Sequence, residues 1–426
     1  FLEDDGLRSL FRVGRSSDAE CQAHAALAYR KIAPNPSCHA DATQPVGLSP
    51  LFLLCFASEH STRVHAAHAL RDLAADPRFK VAFVEGGGMR QAVRLAADAS
   101  LELRRLAFAT LRHLSLRPRL HRSLVVEHEV MTPLLPSAAE PDDDLQRQLA
   151  ALVANVAEHA DVRRVLATQH RAAVALANLE RSELEDVRRD VARAFANLAA
   201  AEANHDLGRA FPGDSLQALF RLVQPDHRLC CEFACTAVGN LAVTAANQLA
   251  LTEMGAVRPL VLALRSPHDT CRAAAARALY RLAAHASNQP AVVEAGAMEP
   301  LIELLADVEV DVRRNSVMVL CNLCVDETTQ RALAERGGVP PLIRLLEDSD
   351  RLTRRHATMA LCNATVERSN QLLVVQHGAL PILVDHCSSD DPDTQRYASM
   401  TLANVATHEA NRRPVVHEGA LPALVS

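Results

Sequence analysis

GAMEPLIELLADVEVDVRRNSVMVLCNLCVDETTQRALAER, residues 296–336, holds one complete unit of this chain's organisation. Gly296 permits the backbone reversal that ends one helix and starts the next. Pro300 follows in the first helical turn, where its missing N–H costs least. Leu301, Leu304 and Leu305 then give the i, i+3, i+4 stripe of an amphipathic helix. The polar stretch "ADVEVD" breaks that stripe. A longer helix is predicted from about Val312 to Val325, with Val317, Leu320 and Leu323 as its apolar positions. "DETTQRALAERG" supplies a short third helix leading to the next glycine.

The unit recurs along the chain. Stepping by 41 from Asn322 gives Asn363 and Asn404, and stepping back gives Arg281 and Asn240. Gly255, Gly296, Gly337, Gly378 and Gly419 keep the same spacing, as do Asn247, Asn288, Thr329, Asn370 and Asn411 in the polar turn before each glycine. Towards the start, the asparagine slot reads Lys31, Asp72, His113, Asn155, Asn197 and Asn240, at spacings of 41, 41, 42, 42 and 43. The extra residues fall in "PSAAEPDDD" (136–144) and "AFPGD" (210–214), where insertions between helices are tolerated. A wholly helical period near 40 is that of an armadillo or HEAT-type solenoid. Three helical segments per unit fit the armadillo plan better than a two-helix one. The chain is expected to start inside a repeat, because Leu10 lies one period before Leu51, and to stop as another opens in "GALPALVS".

Composition agrees with this plan and narrows function. Hydrophobic residues are 49% of the 426, aromatics only 3%, and Trp is absent, as expected for helices packed through aliphatic side chains. Lys+Arg 45 against Asp+Glu 51 leaves a net charge of −6, so no polybasic surface for nucleic acid is expected. Eleven cysteines without a regular framework point to a reducing compartment. No run of about 18 apolar residues is present to span a membrane.

"QRYASMTLANVATHEANRR" (395–413) and "GAMEPLIELLADVEVDVRRNSVMVLCNL" (296–323) resemble the armadillo repeat family, and most of all its subgroup around the vacuolar armadillo protein (vacuolar protein 8). The resemblance covers essentially the whole chain and is sharpest from about residue 230 onward. It implies an all-α fold: a right-handed armadillo-repeat superhelix (α-solenoid) of about ten repeats of 41–43 residues. On this reading residues 1–426 form one solenoid, with 1–130 divergent, 131–418 regular and 419–426 opening a further repeat. In the family the long third helices line a concave groove, and their asparagines bond the backbone of an extended partner peptide. The matching positions here are Asn155, Asn197, Asn240, Asn322, Asn363 and Asn404. An amide offers both donor and acceptor, so it can pair a peptide backbone whatever the side chains. The alternative is that these amides bridge neighbouring helices within the solenoid.

Four residues earlier lies the same helical face. Nuclear import adaptors of the family typically carry Trp there; this chain has Ala151, Arg193, Thr236, Arg277, Met318, Met359 and Met400. The expected groove is cationic at Arg193, Arg277 and Arg281 and apolar at the three methionines, whose soft side chains adapt to varied partners. Expected partners are therefore proteins, through segments partly acidic and partly apolar, with no small-molecule substrate. A further ladder, Arg105, Arg147, Arg189, Arg314, Arg355 and Arg396, is expected to pair with acids on adjacent repeats.

Catalytic and metal chemistry find little support. Cys321-x-x-Cys324 has a metal-like spacing, yet the ladder aligns Cys321 with Gly239, Cys362 and Ala403, and Cys324 with Ala242, Ala283 and Ala406, all packing positions. Cys230 and Cys231 are expected to pack as well. "GGG" at 86–88 falls on the glycine ladder and is expected to be a turn, while "PDDD" at 141–144 is expected to be a solvated loop. No enzyme activity, cofactor or metal is expected. The family resemblance implies a cytoplasmic scaffold, peripheral on an endomembrane if a lipidated segment precedes these residues. The competing readings are the substrate-binding region of a U-box ubiquitin ligase and a nuclear import adaptor, the latter disfavoured by the missing Trp.

Overall fold

The computed structural model describes residues 6–35, 45–127, 129–169 and 171–425. These residues are helical, with no strand among them. The chain falls into two compact units, Phe1–Ala218 and Leu219–Ser426. In the first unit the long helices are α1 (Ala19–Ile32), α2 (His60–Leu73), α3 (Leu101–Ser115), α4 (Asp143–Ala157) and α5 (Glu185–Ala199). In the second they are α6 (Arg228–Leu241), α7 (Asp269–Ala283), α8 (Val310–Leu323), α9 (Arg351–Ala364) and α10 (Pro392–Ala406). Within each unit every long helix stacks on the next, and shorter helices connect them.

The predicted apolar stripe is the stacking surface: Val317, Leu320 and Leu323 are all fully buried. Helix α8 nevertheless begins and ends two residues earlier than its pattern suggested. Cys324 leaves helical geometry at ψ 47, and Asp326 accepts the Thr329 N–H at 3.0 Å to start the following helix. That competing cap excludes Val325, which is left 55% exposed. Side-chain caps also fix the starts of α4, α9 and α10, where Asp142, Asp350 and Asp391 accept the N–H groups of Leu145, Thr353 and Thr394. The "PDDD" stretch is thus a helix start, correcting the expectation of a loop. Asp142 is the cap and Asp143 and Asp144 form the first turn, where carboxylates favour the helix dipole.

The turn asparagines are internal staples. Asn288 Nδ2 donates to the Gln248 carbonyl one repeat back and to the Leu282 carbonyl, both at 2.9 Å. Asn370 does the same to Gln330 and Ala364, and Asn411 to Gln371 and Val405. All three are buried, and each ties the end of a long helix to a shorter helix one repeat back.

Left-handed turns recur in both units. Gly255, Gly296, Gly337, Gly378 and Gly419 all have positive φ, between 71° and 93°. Stepping back by 42 from Gly255 reaches Gly213, Arg171, Glu129 and Gly87, and all four again have positive φ. Glu129 (φ 47°) and Arg171 (φ 51°) therefore adopt the conformation that glycine supplies elsewhere. A residue with a Cβ pays about 1–2 kcal/mol for it. The first unit also holds a π-helical turn at Ser123–Glu127, a feature not found among the described residues of the second.

Candidate functional site

The amides of the asparagine slot do bridge neighbouring helices, but with only one end. Nδ2 of Asn322 donates to the Tyr280 carbonyl at 3.3 Å, that of Asn363 to Cys321 at 3.1 Å and that of Asn404 to Cys362 at 3.2 Å. Each acceptor lies in the last turn of the preceding long helix. Asn404 also reaches the Thr365 hydroxyl. These three side chains are half-buried, and their Oδ1 atoms accept no hydrogen bond among the described residues. The result is a row of open acceptors, one per repeat. Arg281 replaces the amide by donating to the Gly239 carbonyl at 2.6 Å. Asn240 is half-buried and makes no side-chain hydrogen bond among the described residues.

In the first unit Asn155 uses the slot differently. Asn155 is buried, donates to Ser115 Oγ at 3.0 Å and accepts from Arg193 at 2.9 Å, so both ends are occupied. Arg193 is in turn held by Glu158 at 2.7 Å and Asp190 at 3.3 Å. This corrects the sequence reading: Asn155 and Arg193 form an internal network, and the charge of Arg193 is neutralised within it. Asn197 donates to the Ala154 carbonyl at 3.3 Å and keeps its oxygen open. Of the divergent positions, Lys31 is exposed, Asp72 pairs with Arg71 at 2.7 Å and His113 is half-buried. Burial, reinforced by Arg112 and Lys80, lowers the His113 pKa.

In the second unit the neighbouring slot holds Arg277, beside Arg281. Arg277 is exposed and donates a hydrogen bond to Thr236 Oγ1 at 3.3 Å. Neither Arg277 nor Arg281 has a carboxylate partner among the described residues. Burial and then repulsion from Arg277 lower the pKa of Arg281, as expected for two adjacent cations with no counter-charge. Met318 and Met359 are half-buried, and Met400 is 48% exposed. A row that the sequence reading missed lies three residues after the slot: Val243, Val325 and Val366, exposed by 55%, 55% and 66%. The same ladder, advanced by three, gives these positions, and each lies two residues past the end of its long helix.

The second arginine ladder is largely structural, as expected. Arg105 pairs with Asp142, Arg147 with Asp186 at 2.7 Å, Arg314 with Asp350 at 2.8 Å and Arg355 with Asp391 at 2.6 Å. Each acid belongs to the next repeat, and three of the four are helix caps. Arg189 and Arg396 instead bond Asp190 and Asp393 on their own helices. Cys321 and Cys324 are buried in the helix stack; burial pushes the Cys321 thiol up to about 12 and raises Cys324 further. Cys230 and Cys231 are buried too. Among the described residues no three His, Cys, Asp or Glu side chains gather as a metal site, and no helix is long and apolar enough to cross a membrane.

Comparison with known proteins places the architecture. A family model described as HEAT repeats matches residues 298–403. A crystal structure of an engineered protein aligns over 94% of this chain and 98% of its own, at 25% identity and a TM-score of 0.75. A structure from work on a phosphorylation switch controlling the interaction between cadherin and β-catenin aligns over 95% of this chain and 81% of its own, at 18% identity and a TM-score of 0.76. A designed armadillo repeat protein aligns over 54% of this chain at 24% identity and a TM-score of 0.49. No curated protein matches the sequence. The fold is an all-α armadillo-repeat solenoid.

Proposed function

We propose that the protein is a binding scaffold that holds extended segments of partner proteins against the long helices of its second unit. The observation that carries this reading is the row of amides at Asn322, Asn363 and Asn404. Each is oriented by its bond to the preceding helix and has an open acceptor oxygen. An extended chain presents N–H groups along one edge, and acceptors already fixed in place bind them with little further loss of entropy. Asn240, and Asn197 in the first unit, would add acceptors of the same kind.

Side-chain preference follows from the flanking rows. Arg277 and Arg281 favour acidic groups, while Met318, Met359 and Met400, with Val325 and Val366, favour apolar ones. The solved β-catenin relative is itself the subject of a study of protein–protein interaction, which supports a protein partner here. The likeness of residues 395–413 to the vacuolar subgroup extends the reading to a scaffold held at an endomembrane.

Fluorescence polarisation with extended peptides joining an acidic half to an aliphatic half tests the recognition. Binding should fall about tenfold or more in an Arg277→Glu, Arg281→Glu variant, and less in a Met318→Ser, Met359→Ser variant. Unchanged affinity in the arginine variant would reject the acidic half of the proposal.

A further inference from the structure

Within each unit a third ladder obeys a charge rule, and there it breaks the rule once. The position nine residues before the asparagine slot faces the position two residues before the next long helix's N-cap. Arg63 on α2 bonds Asp98 at 3.0 Å, and Arg104 on α3 bonds Glu140 at 2.7 Å. Arg272 on α7 bonds Asp307 at 2.8 Å, and Arg313 on α8 bonds Asp348 at 2.7 Å. Where the helix residue is neutral, so is its opposite: Gln22 with Ala57, Gln146 with Ser182, Cys231 with Ser266. Within the two units the exception is on α9, where Arg354 stands opposite Ser389.

Arg354 nevertheless keeps the pose of a paired rung. Its NH1 donates to the carbonyls of Asp348 at 2.7 Å and Ser349 at 3.1 Å. Arg313 is anchored in the same way on Asp307 and Val308, both at 2.8 Å, and that leaves its Nε free to reach Asp348. Ser389 also behaves as a rung residue. Its Oγ accepts the Asp391 N–H at 3.2 Å, as Asp348 accepts that of Asp350 and Asp307 that of Glu309. Arg354 and Ser389 line one surface cavity of about 610 Å³. Ser389 is half-buried in the short turn before α10, and Ser388 and Asp390 beside it are exposed.

We propose that Ser389 is a phosphorylation site, and that a phosphate on its Oγ supplies the anion that Arg354 lacks. The donor is a nucleoside triphosphate, delivered by a separate serine kinase. The serine oxygen bonds the γ-phosphorus, the bond from that phosphorus to the β-phosphate oxygen breaks, and the diphosphate leaves with the electron pair. The hydroxyl proton passes to the kinase's base. The product carries close to two negative charges and can form charge-assisted hydrogen bonds to a guanidinium. Glu347, Asp385 and Asp390 also line the cavity and oppose the added charge. The preceding rung shows that such surroundings are tolerated: Asp348 lies between Glu347 and Asp350 and still pairs with Arg313. Completing the rung ties the turn before α10 to α9, so phosphorylation would stiffen the end of the second unit.

The test uses the full chain with phosphoserine encoded at residue 389. Titration by phosphorus NMR follows the second ionisation, ordinarily near about pH 6. It should lie lower with Arg354 present than in an Arg354→Gln variant, by about one unit. Glutamine already occupies this position in α1 and α4, so that variant is expected to fold. Amide exchange across residues 387–400 should slow several-fold on phosphorylation, and only with Arg354 present. A phosphate at Ser388 should be indifferent to Arg354→Gln. Equal titration of the Ser389 phosphate in parent and variant would overturn the pairing. Mass spectrometry of the chain from its own cells should find phosphate on Ser389; phosphate confined to other residues would overturn the modification.

Discussion

The two units write the same repeat and use its positions differently. In the first, Asn155 has both ends of its amide engaged and Arg193 is neutralised by Glu158 and Asp190. In the second, Asn322, Asn363 and Asn404 keep open oxygens, and Arg277 and Arg281 have no carboxylate among the described residues. The turns differ as well: glycine takes the left-handed position throughout the second unit, whereas in the first Glu129 and Arg171 take it alongside Gly87 and Gly213. A conserved backbone plan does not fix the use of its side chains. A slot keeps a group open to a partner only where the neighbouring repeat leaves it unsatisfied.

Core packing should not distinguish the units, and it gives the largest effect. Leu320 and Leu111 occupy equivalent slots and are fully buried. Either leucine changed to alanine should lose about 2–5 kcal/mol in urea unfolding. A loss in one unit alone would break the equivalence of the repeats. The turns come next. Gly337→Ala should cost about 1–2 kcal/mol through strain at φ 71°, since nothing lies within 4 Å of the added Cβ. Arg171→Gly should instead raise stability, by up to about 1 kcal/mol, because relief of strain outweighs the added freedom of the unfolded chain. Thermal melts of the pair check both signs.

Acid sensitivity gives a smaller contrast. The Arg314 and Arg355 guanidinium groups, helped by bonds from Thr353 and Thr394, hold Asp350 and Asp391 well below the usual carboxylate range. A depressed folded pKa contributes stability that is present above the unfolded value, about 3.9, and is lost as pH falls through the folded one. Arg355→Gln should therefore flatten the loss of stability below about pH 4, as followed by helical circular dichroism. In the first unit Arg105 depresses Asp142 in the same sense, so Arg105→Gln should act likewise there. A parent and Arg355→Gln variant with identical acid transitions would remove this ion pair from the account.

Much of the fold was legible because three landmarks shared one period, and periodicity survives substitution at any single rung. The left-handed turns at Glu129 and Arg171 were not legible, since neither residue advertises positive φ; the step of 42 from Gly255 locates them only once the conformation is known. The asparagine row was readable as a position but not as a state, because the bond of Asn155 to Arg193 depends on a side chain one repeat away. The Val325 and Val366 row was obscured by placing the end of α8 two residues too late, which made Val325 helical. "PDDD" was misread because Asp is equally at home in a solvated loop and at a helix cap, and only the geometry at Leu145 decides.

The most direct test of the account is to compare charge reversal in the two units against one extended acidic–apolar peptide. Affinity should drop about tenfold or more for Arg277→Glu with Arg281→Glu, and should stay unchanged for Arg193→Glu, whose cost should appear in the stability of the first unit. Equal losses from both variants, or a loss from Arg193→Glu alone, would contradict the claim that the second unit holds the partner.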